Sequence, residues 1–342
     1  MREALFIKRN AKKWQEYQHF QTDDPDEKAE RFINLVDDLA YAKTFYPHGR
    51  VTRWINSLAV STYQSVYQNR RQDFSRLLQF WKTGLPLVVR KYHRILLFTF
   101  LFFAVFCTIA VYSSWKDAHF VRGVLGDDYV NMTEENIANG DPFGVYKDES
   151  SFGMFMRIAY NNIRVDFLMF IFGIFFGLGT IWLLFQNSMM LGAFQYMFFA
   201  KELGLQSVLV IWIHGTLEIS AMIIASTAGF ILANGILFPG ALKRFDAFTR
   251  SARDAVKITV SLVPITLTAA FLEGYITHLM SQHYDRESGN FGLPVWAAVL
   301  ILAASLSFIV WYFIIYPIKV QRSVAAAAAA GPVQPLYLPD SE

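Results

Sequence analysis

The chain has 342 residues, of which 54% are hydrophobic and 16% aromatic, and its mean hydropathy is +0.28. That length would hold two or three soluble domains, but several runs of about 20 apolar residues read instead as transmembrane helices. The net charge of +3 lies where membrane topology accounts for it, which argues against nucleic-acid binding; the single cysteine, Cys107, excludes an intrachain disulfide and any Cys-based metal site.

The first residues, Met1 to Ile7, are too short an apolar run for a signal peptide, and charged sequence follows at once. The N-terminus is therefore expected in the cytoplasm. Residues 1–92 read as a cytoplasmic helical domain. Asp24, Pro25 and Glu27 form a helix start: an N-cap, a proline at the first helical position and a capping-box acid. Phe32, Leu35, Val36 and Leu39 then recur on one face, until Pro47-His48-Gly49 ends the helix. A second helix is expected from about Arg50 to Gln68, with Trp54, Leu58 and Tyr63, and a further one in 1–20, with Trp14 and Tyr17 on one side. In 74–92, Phe74, Leu77, Leu78 and Trp81 face one way among Arg71, Arg76, Lys82, Arg90 and Lys91. This pattern suits either a helix lying in the lipid headgroups or an ordinary amphipathic helix of the cytoplasmic domain.

A membrane domain is expected over 93–318, with six spans at about 95–114, 165–187, 188–203, 207–238, 258–280 and 294–316. The loop 116–164 carries five basic and eight acidic residues and reads as extracytoplasmic. In the second span Gly173 and Gly177 form a small-xxx-small pair that lets helices approach closely. The segments before 95 and over 239–257 are both rich in Lys and Arg, so both belong to the cytoplasmic side. An even number of crossings must separate them. Only 188–203 can supply the fourth, and its thirteen apolar residues predict a short, tilted or broken helix. Pro264 predicts a kink in the fifth span. The loop 281–292 reads as outside, and Lys319 and Arg322 return the chain to the cytoplasm. The Ala-rich and Pro-containing end, 319–342, reads as a disordered tail. No internal repeat supports an inverted-repeat transporter.

Ionisable groups within apolar runs then stand out, because a charge at mid-membrane costs about 2.5–3.5 kcal/mol on insertion scales. His214 and Glu218, four apart, share a helix face. Glu273 falls at a matching depth in the next span, with His278 nearer the surface; Asn161, Asn162, Arg164 and Asp166 can join them. Three readings stay open. The group is a structural polar cluster, an ion, proton or solute path, or a site of metal-dependent chemistry, as in an intramembrane metal-dependent enzyme, with His214, Glu218 and Glu273 as ligands. There is no His-Glu-x-x-His motif, no phosphate-binding glycine loop, no nucleophile elbow and no Cys/His pair, so no enzyme and no cofactor are expected.

His214-Gly215-Thr216-Leu217-Glu218-Ile219, Phe271-Leu272-Glu273-Gly274-Tyr275-Ile276-Thr277 and Asn187-Ser188-Met189-Met190-Leu191-Gly192-Ala193 together resemble the motifs of the stage II sporulation protein M family over roughly 160–318. Phe6-Ile7-Lys8-Arg9-Asn10 with Trp14, and Asp37 to Pro47, resemble its longer members from bacteria that do not form spores. The sporulation protein is shorter and lacks the cytoplasmic domain, which points away from a sporulation role. The resemblance implies a polytopic protein of the bacterial cytoplasmic membrane, non-enzymatic, acting in an envelope assembly. Its implied partners are the lipid bilayer, a MoxR-type ATPase and small membrane proteins, with self-association left open. His214, Glu218 and Glu273 are the family's characteristic polar residues, with no role assigned.

Overall fold

The computed structural model describes residues 3–19, 25–68, 74–143, 150–277, 279–280 and 292–329, and the regular elements within them are all helical. They fall into two compact units, Met1–Gln79 and Phe80–Glu342.

In the first unit α1 (Glu3–His19), α2 (Pro25–Phe45) and α3 (Arg50–Gln68) share one core. α2 begins at Pro25, as the start signal predicts; the expected N-cap, Asp24, lies outside the described residues. Leu35 and Ala42 of α2 are fully buried and Leu39 packs beside them, but Val36 is left exposed. A seam that receives α1 and α3 is narrower than the stripe the sequence offers. From α3 come Val51, Ile55, Leu58 and Ala59, while Phe6 and Trp14 of α1 close the core. Trp14 Nε1 donates to Asp38 Oδ2 at 2.7 Å, and Lys13 pairs with the same oxygen at 2.6 Å. The Thr52 hydroxyl donates to the Tyr46 carbonyl at 2.7 Å, which satisfies a backbone group left over where α2 stops.

The second unit begins at Phe80, earlier than the expected boundary at 92. α4 (Phe74–Gln79) leads through a π-helical turn, 80–84, into α5 (Leu85–Lys91). Leu77 and Leu78 are exposed, as a surface helix would have them, but Leu85 and Val89 are buried in the core that holds Tyr312 and Phe313. Tyr312 and Tyr316 donate to the carbonyls of Trp81 and Lys82 at 2.8 and 2.9 Å, so α5 is locked into this unit.

α6 (His93–Lys116) exposes Leu97, Phe98, Phe100 and Leu101 along one side. The residues expected as a loop are largely helical: α7 (Ala118–Leu125), α8 (Asp127–Ala138) and the first part of α9 (Ser151–Ile171). Their charges occupy outer faces, while Val121, Val130, Ile137 and Phe143 are buried with Phe198 and Ile213. Arg122 joins Asp127 and Glu134, and Lys201 reaches Glu134 at 2.9 Å.

The expected span 165–187 is two helices. α9 ends at Ile171, a 3-10 turn covers 172–174, and Phe176 and Gly177 take φ of 53° and 82° before α10 (Leu178–Ala200) departs. The two glycines therefore do different work. A Cβ on Gly173 would lie 2.1 Å from the Gly229 carbonyl oxygen, so this position must be bare; Gly177 supplies the left-handed turn. α10 has 23 residues instead of the thirteen expected, because it takes in the second half of that expected span.

α11 (Gly204–Leu237) is the central helix, packed on α6, α9, α10, α12 and α13. α12 (Arg244–Phe271) runs through Pro264 without losing its helix and continues as a π-helix over 272–277. α13 (Val295–Val310) passes through a π turn, 311–315, into α14 (Tyr316–Ala329). Residues 319–329, expected in the tail, are helical, in keeping with alanine as the best helix former; the rest of the expected tail lies outside the described residues. Among the described residues four helical stretches are long and apolar enough to cross a membrane: His93–Lys116, Gly204–Leu237, Arg244–Thr277 and Val295–Ala326. The protein is a multi-pass membrane protein with an N-terminal helical region.

Candidate functional site

α11 carries His214, Gly215 and Glu218 toward the interior of the second unit. Its polar side chains are otherwise quieted locally: the Thr216, Ser220, Ser226 and Thr227 hydroxyls donate to carbonyls four residues back. His214 and Glu218 look outward from the helix, as four-apart residues on one face do.

Glu273 arrives from the next helix, and its local conformation matters. Residues 272–277 form a π-helix, whose wider turn changes the direction of side chains relative to a straight α-helix. Gly274, within it, lets α9 come close: a Cβ there would sit 3.0 Å from the Phe155 backbone nitrogen. The result brings Glu273 Oε1 to 3.8 Å from His214 Nε2. One potential ligand atom from each of His214, Glu218 and Glu273 lies within 4.8 Å of the others. His214 is buried, and the two glutamates are mostly covered.

The other ring nitrogen of His214 is placed by Thr277, the last residue of the π-helix. His214 Nδ1 and Thr277 Oγ1 are 2.9 Å apart, and that hydroxyl points to the Val210 carbonyl at 3.4 Å. Thr277 thus holds the ring so that Nε2 faces Glu273.

A cavity of about 430 Å³ opens beside His214 and Glu218. Asn161, Asn162 and Asp166 of α9 form one polar wall, with Asn187 of α10 and Thr266 of α12. The Thr266 hydroxyl donates to Asp166 Oδ2 at 2.7 Å. Val124, Leu125 and Tyr129, from the segment expected as a loop, help to line it. Asp166 and Glu218 act on each other electrostatically, as do Glu218 and Glu273, and Arg157 acts on Glu273. Three acids and one histidine thus share a low-dielectric region.

Of the residues singled out from sequence, the structure gathers His214, Glu218, Glu273, Asp166, Asn161 and Asn162. Arg164 is exposed and does not line the cavity, and His278 lies outside the described residues. Thr266, Thr277 and Asn187 were not singled out for the site. A hydroxyl or amide in an apolar helix is common, and only the fold tells which of them faces inward. Glu134 of α8 is separate from this group; the Lys201 ammonium bonded to it holds its carboxyl below the usual glutamate range.

The stage II sporulation protein M family matches residues 98–278, which contain His214, Glu218, Glu273 and the whole cavity wall. A second family, a domain of unknown function (DUF8413), matches residues 4–68, the three helices of the first unit. An uncharacterized protein of Methanocaldococcus jannaschii is 32% identical over 126 residues, covering 36% of this chain and 70% of that protein. No solved structure matches the chain. With the sporulation protein M match spanning more than half of its length, and with its polar motif residues gathered inside a multi-pass helical unit, the chain belongs to the stage II sporulation protein M family.

Proposed function

We propose that this protein is a non-enzymatic subunit of a membrane-embedded envelope assembly, with the N-terminal unit as its docking surface. The observation that carries this is the first unit itself. It has its own core and its own family match, yet it leaves Leu5, Ile33, Val36 and Phe45 exposed at 58, 59, 41 and 56%. Exposed apolar side chains of this size on a small soluble unit mark a surface that meets a partner. The partner class follows from the family resemblance: a MoxR-type ATPase with a small membrane protein.

The reading also specifies topology. α6, α9, α10, α11, α12 and α13–α14 make six crossings, which keeps both ends on the cytoplasmic side of a bacterial cytoplasmic membrane. α9 and α10 have 21 and 23 residues, long enough at about 1.5 Å per residue for a core of about 30 Å. Their connection exposes Phe175 and Phe176, and the first turns of α10 expose Trp182, residues suited to the membrane boundary.

The test is stoichiometric co-purification. The full chain in mild detergent is expected to retain a MoxR-type ATPase and a small membrane protein, and a variant lacking 3–68 to lose the ATPase. A full chain that purifies alone, or an interaction indifferent to that deletion, sinks the reading. Cysteines placed at 120 and 245 should label from opposite sides.

A second reading has one observation in its favour. The cavity is lined by Glu218, Asp166 and His214, acids and a base of the kind that mark ion or solute paths, although Glu273 is not on its wall. Flux into proteoliposomes that disappears in Glu218→Gln would favour transport; unchanged flux in that variant would remove it.

A further inference from the structure

We infer that His214 Nε2, Glu218 and Glu273 hold one divalent first-row transition cation between α11 and α12, with an open coordination position facing the cavity. The inference concerns a different part of the molecule from the proposed docking surface and stands without it.

Geometry is the first support. The ligand atoms of the three residues lie within 4.8 Å of one another, and His214 Nε2 is 3.8 Å from Glu273 Oε1. Around a tetrahedral zinc with bonds of about 2.0–2.2 Å, neighbouring ligand atoms stand some 3.4 Å apart. The His214–Glu273 pair is about 0.4 Å wider than that, and no pair in the group exceeds it by more than about 1.4 Å, a distance glutamate rotamers can close. One imidazole and two carboxylates suit zinc, manganese or iron(II).

The second support is how the histidine is held. Thr277 Oγ1 lies 2.9 Å from Nδ1 and turns the ring so that Nε2 faces Glu273. Thr277 plays the part that an outer hydrogen-bond partner plays for a metal-bound histidine: it fixes the ring.

Charge balance is the third. Glu218 is close enough to Asp166 and to Glu273 to act on each, with His214 beside it and Arg157 acting on Glu273. Carboxylates gathered away from water are costly unless they are protonated or a cation compensates them.

Two features bear on the cavity next to these ligands. Asn162, 8% exposed, lines it and acts on Glu218 through its side chain. Gly215 is the other. Gly173, Gly192, Gly229 and Gly235 are bare because a Cβ would strike a neighbour at 2.6 Å or less. At Gly215 the nearest atom to a Cβ is 3.9 Å away. Helix packing does not demand this glycine, and it costs about 1 kcal/mol relative to alanine in a helix interior. What its bareness preserves is free space on the cavity wall between His214 and Glu218.

The test uses the full chain in detergent, stripped with chelator and titrated calorimetrically with Zn²⁺ and, separately, Mn²⁺. One saturable equivalent per chain is expected, together with a rise in thermal unfolding temperature on loading. Thr277→Val, which removes only the outer hydrogen bond, is expected to weaken binding roughly 10–100-fold. Glu218→Gln and Glu273→Gln, which keep size and helix propensity, are expected to weaken it at least as much. Should His214→Ala fail to give a monodisperse protein, the two glutamine variants decide. Absence of saturable binding of either ion to the wild-type chain overturns the inference. So does unchanged binding in a Glu218→Gln/Glu273→Gln double variant with wild-type elution and helicity.

Discussion

The two units of this chain bring their helices together differently. In the N-terminal unit large side chains fill most of the core: Leu35, Ile55, Phe6 and Trp14, with Tyr41 and Tyr46 against Phe6. In the membrane unit the central helix sets a run of small residues, Ala221, Ala225, Ala228, Gly229, Ala233 and Gly235, among large buried ones such as Leu217, Ile224, Ile231 and Leu232. Water drives the first arrangement, because each large apolar side chain removed from it stabilises the fold by about 1.5–3 kcal/mol. Lipid offers no such drive, since its tails are as apolar as leucine, and helices there gain by close backbone approach. Hence the large apolar residues of α6 point outward, and a single Cβ would be too much at the crossing of Gly173 and Gly229.

This contrast can be broken by substitution. The largest effect is expected for Leu35→Ala, a cavity in the first unit costing about 2–5 kcal/mol. Thermal unfolding of the isolated 1–70 fragment reads it, and the unfolding transition of the membrane unit in the full chain should stay in place. Next is Gly173→Ala, where the added Cβ meets backbone that cannot rotate away; overpacking of this kind costs about 1–3 kcal/mol. It should appear as a lowered unfolding temperature in detergent. Gly215→Ala sharpens the same comparison by its opposite sign. Nothing obstructs the new methyl group, so gain in helix propensity stabilises by up to about 1 kcal/mol. A fall in unfolding temperature for Gly215→Ala would show that this glycine, too, is held by packing.

The smallest effect belongs to the polar cover. Glu134 is held below the usual glutamate range by its bond to Lys201, with Arg122 adding to it. A carboxylate lowered in the folded state contributes stability above its unfolded value and loses it as pH falls through the lowered one. Acidification below pH about 4.5 should therefore weaken the link between α8 and α10, and Glu134→Gln should abolish that pH dependence. The group is solvent-exposed, so raised salt should reduce the effect further.

Much of this was legible in the chain because its signals are local. Pro25 at a helix start and the apolar stripe through Leu35 and Leu39 need only neighbours along the sequence. The apolar runs at 95–114 and 207–238 do so as well. The span 165–187 misled for an equally physical reason. Phe172 to Leu178 is as apolar as a helix interior, and hydropathy is blind to the two positive φ angles that turn the chain there. The segment 116–164 misled in the other direction: its charges are conspicuous, while the buried Val121, Val130 and Ile137 are spaced along two short helices.

For the polar group, the sequence by itself determined that His214 and Glu218 share a face of one helix and that Glu273 lies in another. A helical period and a membrane thickness suffice for that. Only the tertiary structure decided that the three converge. Their meeting depends on a π-helical stretch at 272–277, on the bare Gly274 against Phe155, and on α9 presenting Asn162 and Asp166. These are contacts between segments some 50 to 120 residues apart, and no local pattern encodes the distance between them.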